Sequence, residues 1–231
     1  MKLTVISPTY NERDNLDRLF SELERVLQGL DYEVLIVDDD SPDLTWQKVE
    51  EMAQTRPYLR VLRRIGKKDY WSAIVDGFKA ASGDAVGTID ADLQHDPDIL
   101  PRMFAELRSG ADLVIGSRYM PGGGTSNWNW FRRLMSETAN LASRVVLRAK
   151  VADPGAGIFM LRRADFLRIA DRLNGRGYRI LIDIIVNLRP KNIKEVPYTF
   201  RPRQVGESKM SMGIVLSYLR LLLRLTFTRR A

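Results

Sequence analysis

Short apolar runs typical of buried strands alternate along this chain with segments whose apolar residues recur at helical spacing. Residues 3–7 form the first such run, and residues 11–27 the first helical segment. Parallel strands need a crossover helix between them, and strands buried on both faces are apolar throughout. The alternation therefore predicts an α/β fold with a mostly parallel sheet flanked by helices. Ligands of such sheets bind at the carboxyl ends of the strands.

The same pattern assigns most of the chain. The predicted strands are residues 3–7, 32–37, 59–62, 85–89, 112–115, 158–161 and 195–200. The predicted helices are residues 11–27, 46–53, 71–81, 99–107, 128–147, 163–173 and 178–187. The Gly-rich residues 120–126 are predicted to form a flexible loop. Because no internal repeat and no long linker interrupts this series, we expect one domain over residues 1–210 and a separate C-terminal helix over residues 211–231.

Composition excludes several kinds of site. The chain has 231 residues, no Cys and a single His, His95. Disulfides and thiolate metal sites are therefore excluded, and a His-rich zinc site or a Ser-His-Asp triad is disfavoured. Any bound metal is expected to be a hard cation with oxygen ligands. The net charge of +7 indicates an anionic partner but does not choose among nucleic acid, anionic lipid and a phosphorylated substrate.

The N-terminal segment does not resemble a signal peptide, because Pro8, Asn11 and Glu12 interrupt its apolar stretch. The longest apolar runs reach about four residues, against the roughly 20 that cross a bilayer. We therefore expect a cytoplasmic protein without a spanning helix.

The C-terminal segment, residues 212–228, is apolar except for a narrow polar stripe. The stripe consists of Gly213, Ser217, Arg220, Arg224 and Thr228. A last core helix, an exposed dimer face and a helix lying in a membrane interface all fit this pattern. The arginines favour the interfacial helix, because Arg reaches anionic headgroups from that depth.

An aromatic and basic cluster opens the predicted helix at residues 128–147. Its members are Trp128, Trp130, Phe131, Arg132 and Arg133. Such a cluster is typical of headgroup depth in a membrane. An amphipathic helix packed on the core explains it equally well.

Aspartates follow two of the predicted strands. Asp39 lies in a run of three aspartates after one strand, and Asp90 and Asp92 follow another. Alternate residues of an extended segment point the same way, so the last two carboxylates are expected to converge on one ligand. Such a pair suits Mg²⁺ or Mn²⁺ shared with a diphosphate. Alternatively, loop aspartates cap the next helix, as Asp96 or Asp98 would for the helix at residues 99–107.

Several motifs become specific when they are taken together. They are Pro8-Thr9-Tyr10-Asn11-Glu12, Val37-Asp38-Asp39-Asp40-Ser41-Pro42-Asp43, Asp90-Ala91-Asp92-Leu93-Gln94-His95, Gly116-Ser117-Arg118-Tyr119, Gly177-Tyr178, Glu195-Val196-Pro197 and Gly206-Glu207-Ser208-Lys209. In this order they resemble the family 2 glycosyltransferases. The polyprenol-phosphate glycosyltransferases are the most similar group, and among them the dolichol-phosphate mannose synthases. The resemblance covers nearly the whole chain and implies the GT-A (Rossmann-like) fold.

The resemblance also implies roles for individual residues. The donor-binding positions are Pro8, Tyr10, Glu12, Asp39, Asp90 and Ala91. The metal positions, for Mg²⁺ or Mn²⁺, are Asp90, Asp92 and Gln94. The basic positions for the acceptor phosphate are Arg118, Arg132, Arg133 and Arg203, and the catalytic set is Asp92, Arg118, Arg203 and Lys209. For His95, beside the metal motif, a phosphate contact and a purely structural role are both consistent with its position.

The implied reaction is an inverting, metal-dependent transfer of a hexose from a nucleotide diphosphate sugar to a polyprenyl or dolichyl phosphate. Mannose and GDP-mannose are the favoured sugar and donor. The acceptor is already an anion, so no strong general base is needed, but basic residues must screen its repulsion from the donor. The implied location is peripheral, on the inner face of the membrane, either directly on its surface or through a membrane protein partner. No nucleic-acid partner is implied.

Two segments depart from the family pattern. Residues 66–73 begin with Gly66 and Lys67 but lack the two later glycines of the pattern Gly-Lys-x-Gly-Leu-Gly. Residues 153–160 replace a polar Thr-Ser-Gly-Phe-Arg pattern, with Met160 where relatives carry Arg. Asp96 stands in place of the usual Pro. These departures weaken the assignment of mannose more than that of a glycosyltransferase.

Two alternatives remain open. One is a family 2 transferase that uses a UDP-sugar or acts on a saccharide acceptor. The neutral hydroxyl of a saccharide would need a base, and the basic loop at residues 203–209 favours an anionic acceptor instead. A non-enzymatic basic protein that binds membranes or nucleic acid would carry clustered positive charge without aspartates at strand ends.

Overall fold

The computed structural model describes residues 1–126, 130, 136–138, 140–141, 143, 151–173, 175 and 180–202. Within these ranges the predicted alternation of strands and helices is confirmed. The strands are β1 (Leu3–Thr9), β2 (Tyr32–Asp38), β3 (Leu59–Arg63), β4 (Ala85–Thr88), β5 (Leu113–Ser117), β6 (Gly124–Thr125), β7 (Phe159–Arg162), β8 (Ile193–Pro197) and β9 (Thr199–Phe200). The helices are α1 (Leu16–Leu27), α2 (Thr45–Ala53), α3 (Tyr70–Ala80), α4 (Ile99–Arg108), α5 (Arg163–Ile169) and α6 (Ile180–Leu188).

Seven of the described strands form one sheet in the order β3-β2-β1-β4-β7-β5-β8. β7 runs antiparallel to its neighbours β4 and β5, and the other pairs of this sheet are parallel. The predicted mostly parallel sheet is therefore confirmed. As a result, the carboxyl ends of β1, β2, β3, β4 and β5 share one edge, which is where ligands of such sheets bind.

Both faces of the sheet are buried under helices. Along β1 the side chains alternate, so that Val5 lies in one apolar cluster and Ile6 in the other. The first cluster contains the buried face of α1 and of α4, and the second contains that of α3, α5 and α6. The apolar residues that predicted α1 are its buried face, apart from the half-buried Val26.

The predicted strand at residues 195–200 is wrong, because it is two strands in different sheets. β8 pairs with β5 as far as the register Ser117↔Pro197. There the backbone N–H of Tyr198 donates to the Ser117 carbonyl oxygen at 3.1 Å, and β9 then pairs with β6. β6 lies in the segment that we predicted to be a flexible loop. The sequence did not indicate this strand, because two residues that pair only through their backbones leave no apolar pattern.

Of the two aspartates predicted to cap α4, Asp96 accepts a hydrogen bond from the Asp98 backbone N–H at 3.2 Å, just before the helix. Asp98 occupies the N-cap position but makes no side-chain capping bond. It pairs instead with Arg25 at 2.9 Å, and Asp96 accepts a hydrogen bond from Arg201 at 2.8 Å. Both carboxylates therefore connect α4 to neighbouring elements.

Among the described residues, no helix is long and apolar enough to cross a bilayer. The predicted C-terminal helix, residues 211–231, lies outside the described residues, as does most of the predicted helix at residues 128–147.

Glu33 on β2 is a buried carboxylate that ties three segments together. It accepts hydrogen bonds from the Thr4 hydroxyl at 2.8 Å and the Ser82 backbone N–H at 2.6 Å, and it pairs with Arg60 at 3.1 Å. Burial alone would raise the pKa of Glu33, but these hydrogen bonds outweigh it and hold the pKa below its ordinary value. A depressed folded-state pKa stabilises the protein at neutral pH, and that stabilisation is lost as the pH falls through the folded-state pKa.

We expect Glu33→Gln to lower the free energy of unfolding by about 1–3 kcal/mol at pH 7, because the amide cannot accept all three hydrogen bonds. Urea unfolding measures the change. The difference from the unmodified protein should shrink as the pH is lowered below 4.5, the ordinary pKa of this group. The exposed Glu50→Gln is the matched control. Equal stability of the two variants across this pH range would contradict the role of Glu33.

Candidate active site

The loops that follow β1, β2 and β3 are joined by backbone hydrogen bonds at the carboxyl edge of the sheet. The N–H of Asp39 donates to the Thr9 carbonyl at 3.1 Å, and that of Arg64 to the Asp38 carbonyl at 2.8 Å. The ladder between β1 and β4 also continues past β4, through a bond from the Ile89 N–H to the Ile6 carbonyl at 3.0 Å. The motif residues predicted for the donor site therefore lie on adjoining loops.

Asp38 is a structural residue of this edge. It is fully buried and accepts hydrogen bonds from the Thr9 hydroxyl at 2.7 Å, the Ser41 N–H at 2.8 Å and the Ser41 hydroxyl at 2.6 Å. The same Ser41 hydroxyl accepts from the Asn11 N–H at 3.0 Å. Asp38 thus joins the loop after β1 to the loop after β2.

Asp39, predicted to bind the donor, is half of a buried ion pair. Arg64 Nε donates to Asp39 Oδ1 at 2.7 Å, and the two side chains are only 2% and 8% exposed. The second carboxylate oxygen accepts from the Asp69 N–H at 2.9 Å. Arg64 also reaches the Ser72 hydroxyl at 3.0 Å and Asp76 at 3.1 Å. Our sequence analysis missed Arg64, whose signal was an Arg at the end of a strand that enters the predicted ligand edge.

We expect Arg64→Met to destabilise the protein by about 3–5 kcal/mol, because it leaves Asp39 buried without a counter-charge. The matched control is Arg63→Met. Arg63 pairs with Asp40, both side chains are 36% exposed, and we expect a loss within about 1 kcal/mol. Thermal and urea unfolding measure both values, and equal losses in the two variants would contradict the account of the buried pair.

The other donor positions lie on the loop after β1. Pro8 is a half-buried residue of β1, paired with Val37. Tyr10 is half-buried, and the Lys68 ammonium lies 3.7 Å from the centroid of its ring. The Glu12 carboxylate accepts a hydrogen bond from Asn15 at 2.7 Å, which orients it before α1.

The predicted metal residues lie on a turn. β4 ends at Thr88, the turn spans Ala91 and Asp92, and Leu93 has a left-handed φ of +61°. The alternation of an extended segment, which we used to predict convergence of Asp90 and Asp92, is therefore the wrong geometry.

The two carboxylates of that turn differ in exposure. Asp90 is half-buried and accepts from the Tyr70 hydroxyl at 2.8 Å, whereas Asp92 is buried and accepts from the Gln94 N–H at 3.1 Å. The Gln94 side-chain amide donates to the Arg201 carbonyl at 3.2 Å. Within the described residues, no three acidic or His side chains are grouped so that they could hold a metal ion on their own.

His95 has a structural position. It is buried, its Nδ1 accepts a hydrogen bond from the Asp90 N–H at 3.2 Å, and its ring lies 5.4 Å from that of Phe200. A Cβ added at Gly157 would lie 3.0 Å from the imidazole, so this glycine allows the ring to fit. Of the two roles predicted for His95, the structure supports the second, because the ring fixes the backbone of Asp90.

Arg118, at the carboxyl end of β5, is engaged by a buried carboxylate. Its Nε and Nη2 donate to the two oxygens of Asp153 at 2.8 and 2.9 Å, and Asp153 is fully buried. Burial by itself lowers the pKa of Arg118, but the hydrogen bonds and charge of Asp153 outweigh it and raise the pKa above its ordinary value. Arg118 is therefore a fixed cation with a compensating charge beside it.

Tyr198 contributes a hydroxyl that our sequence analysis missed. The residue is buried, and its hydroxyl has no hydrogen-bond partner among the described residues. Burial raises the pKa of Tyr198, and the charges of Asp153, Asp90 and Asp92 raise it further, against the opposing effect of Arg118. The hydroxyl therefore stays protonated as a donor near both the Arg118 pair and the metal motif.

Several predicted site residues lie outside the described part of the chain. They are Arg132, Arg133, Arg203 and Lys209. Met160, which stands where relatives carry Arg, is buried in β7 within the sheet. Trp130, a described member of the predicted aromatic cluster, is 76% exposed.

The comparison with protein families decides the class. Residues 4–169 match the family described as glycosyl transferase family 2. The chain belongs to glycosyl transferase family 2. The resemblance inferred from the motifs and the GT-A-like fold is thereby confirmed.

The curated relatives of this family 2 chain carry related names. It is 43% identical, over 97% of its length, to a dolichol-phosphate mannosyltransferase of Pyrococcus furiosus, and it spans 64% of that protein. It is 38% identical, over 93% of its length, to an undecaprenyl-phosphate mannosyltransferase of Micrococcus luteus, and it spans 90% of that protein.

Solved structures support the fold. A glucosyl-3-phosphoglycerate synthase of Mycobacterium tuberculosis, in complex with Mn²⁺, UDP and glucosyl-3-phosphoglycerate, aligns with a TM-score of 0.69 and 18% identity. The alignment covers 99% of this chain and 79% of the synthase.

Proposed function

We propose that this protein transfers a hexose, mannose by preference, from a nucleotide diphosphate sugar to a polyprenyl phosphate with inversion at the anomeric carbon. GDP-mannose is the preferred donor. The observation that carries the proposal is the 38% identity, over 93% of the chain, to an undecaprenyl-phosphate mannosyltransferase. The grouping of the donor motifs on adjoining loops at the carboxyl edge of the sheet supports it.

The nucleoside lies against the loops after β1 and β2. Tyr10 offers an aromatic face, and Glu12 and Asp39 accept hydrogen bonds from the base or ribose, with Pro8 shaping the loop between them. Asp39 is held by Arg64 and by the Asp69 N–H, so its carboxylate is presented in one orientation. A fixed acceptor of this kind discriminates between nucleosides, because a mismatched base leaves a buried polar group unpaired.

The residues of the turn after β4 suit a divalent cation that is shared with the donor. Asp90 and Asp92 supply carboxylate oxygens, Gln94 an amide oxygen, and Ala91 a backbone contact to the donor. Because the described residues offer no third acidic ligand, the remaining positions suit phosphate oxygens, which is how Mg²⁺ is commonly bound. When bound, Mg²⁺ or Mn²⁺ supplies electrostatic stabilisation of the departing nucleoside diphosphate.

The acceptor phosphate attacks without a general base, because it is already an anion. The protein's task is to bring two anions together and to aim an oxygen at the anomeric carbon. We assign this to Arg118, Arg132, Arg133, Arg203 and Lys209. Arg118 is oriented by Asp153, which also compensates part of its charge, so the other cations in this set must screen most of the repulsion.

The lipid acceptor implies work at a membrane surface. We assign the protein to the cytoplasmic face, held by the amphipathic residues 211–231 or by a membrane protein partner. The exposure of Trp130 supports contact with headgroups at the aromatic cluster.

The test is nucleotide release from a panel of GDP- and UDP-sugars, with Mg²⁺ or Mn²⁺, in the presence and absence of undecaprenyl phosphate in detergent. We expect release from GDP-mannose that requires the lipid. Asp92→Asn should reduce the rate about 100-fold, because one negative ligand of the cation site is lost. The exposed Asp31→Asn, at the opposite edge of the sheet, is the matched control and should keep full activity.

Other outcomes would overturn parts of the proposal. Lipid-dependent release from a UDP-sugar, and not from GDP-mannose, would show that the proposed donor is wrong. Release stimulated by a saccharide, and not by the lipid phosphate, would show that the proposed acceptor is wrong. No release from any donor by folded protein would contradict the transferase activity.

A further inference from the structure

The segment between β3 and α3, residues 64–70, touches each of the loops that carry the proposed donor site. Arg64 and the Asp69 N–H contact Asp39 after β2. The Lys68 ammonium covers the ring of Tyr10 after β1 at 3.7 Å. Residues 64–70 thus span three strands at the ligand edge, and we call them the bridging segment.

The bridging segment ends in a hydrogen bond to the turn after β4. The Tyr70 hydroxyl donates to Asp90 Oδ1 at 2.8 Å. In the family pattern Gly-Lys-x-Gly-Leu-Gly, matched from Gly66 onward, the position of Tyr70 holds Leu, a hydrocarbon side chain that cannot donate a hydrogen bond. The contact is therefore a feature of this chain and not of the pattern it resembles.

The backbone of Tyr70 is fixed independently of its hydroxyl. It is the first residue of α3, whose N-cap Asp69 accepts from the Ser72 N–H at 2.8 Å. Arg64 Nη2 donates to the Asp69 carbonyl at 3.1 Å. Since the helix start is held by these contacts, removing only the hydroxyl should leave the bridging segment in place.

Asp90 is correspondingly held from two sides. Its backbone N–H donates to His95 Nδ1 at 3.2 Å, and its carboxylate accepts from Tyr70. A ligating carboxylate with one oxygen hydrogen-bonded keeps its orientation before the cation arrives. Removing the Tyr70 hydroxyl would take away the hydrogen bond that orients Asp90 Oδ1.

We propose that Tyr70 is a positioning residue for the cation and nucleotide site, and that its hydroxyl orients the Asp90 carboxylate for a divalent cation. The inference rests on the proposed function and deepens it. It gives a role to a residue of the segment that departs from the family pattern, through a side-chain contact from α3 to the turn after β4.

The test is the binding of Mn²⁺ to Tyr70→Phe in the presence of saturating GDP, followed by the paramagnetic resonance signal of free Mn²⁺. We expect the affinity for Mn²⁺ to fall about 10–100-fold, as for other residues that orient metal ligands. The affinity for GDP without a cation, measured by calorimetry, should not change. Tyr32→Phe, which removes a hydroxyl at the opposite edge of the sheet, is the matched control and should bind Mn²⁺ normally.

A double-mutant cycle separates positioning from a general structural effect. In the Asp90→Asn background, Tyr70→Phe should change the affinity for Mn²⁺ less than two- to threefold, because the carboxylate through which it acts is gone. An equal loss in both backgrounds, or a loss of cation-free GDP affinity of the same size, would overturn the inference.

The remaining outcomes distinguish the two proposals. If the unmodified protein binds Mn²⁺ with GDP and Tyr70→Phe binds it equally well, the inference fails and the proposed function stands. If the unmodified protein shows no cation-dependent binding of GDP or UDP, the proposed donor site fails and the inference fails with it.

Discussion

The ion pair between Arg64 and Asp39 is buried at the ligand edge of the sheet, and the neighbouring loops depend on it. Two charges removed from water stay ionised only when they are paired and hydrogen-bonded, so the geometry around them is narrowly defined. Arg64 meets this demand by reaching Asp39, the Ser72 hydroxyl and the Asp69 carbonyl. The loop after β2, the end of β3 and the start of α3 are thereby fixed together, which brings Tyr70 to Asp90.

The carboxylates at strand ends divide into two kinds that the sequence does not distinguish. Asp38 and Asp153 are fully buried and hold backbone N–H groups, hydroxyls or Arg118. Asp90 is half-buried, and its carboxylate accepts a hydrogen bond from Tyr70 at 2.8 Å and lies 3.6 Å from His95 Nδ1. A buried, fully engaged carboxylate organises loops, whereas a partly exposed one can exchange solvent for a ligand. Asp38 therefore organises the loops after β1 and β2, whereas Asp90 leaves the turn after β4 a carboxylate that is partly open to solvent.

Most of the fold was predictable from the sequence, because buried strands and amphipathic helices show a local periodicity of apolar residues, as in β1 and α1. The family was also predictable, because its motifs follow successive strands. The contacts that define the site were not, since the partners are far apart in the chain: Arg64 lies 25 positions from Asp39, and Arg118 lies 35 from Asp153. The prediction of a single strand at residues 195–200 failed for a similar reason. The point at which β8 gives way to β9 depends on where the partner strand β5 ends, which the local sequence does not show.

The stereochemistry of the product tests the proposed transfer most directly. The measurement is an NMR assignment of the anomeric configuration of the lipid-linked sugar formed from GDP-mannose and undecaprenyl phosphate. Attack by a lipid phosphate on one face of the sugar, with no covalent sugar-protein intermediate, predicts a polyprenyl phosphate mannose whose configuration is opposite to that of the donor. A product with the donor's configuration, or a sugar attached to an acceptor other than the lipid phosphate, would contradict the account.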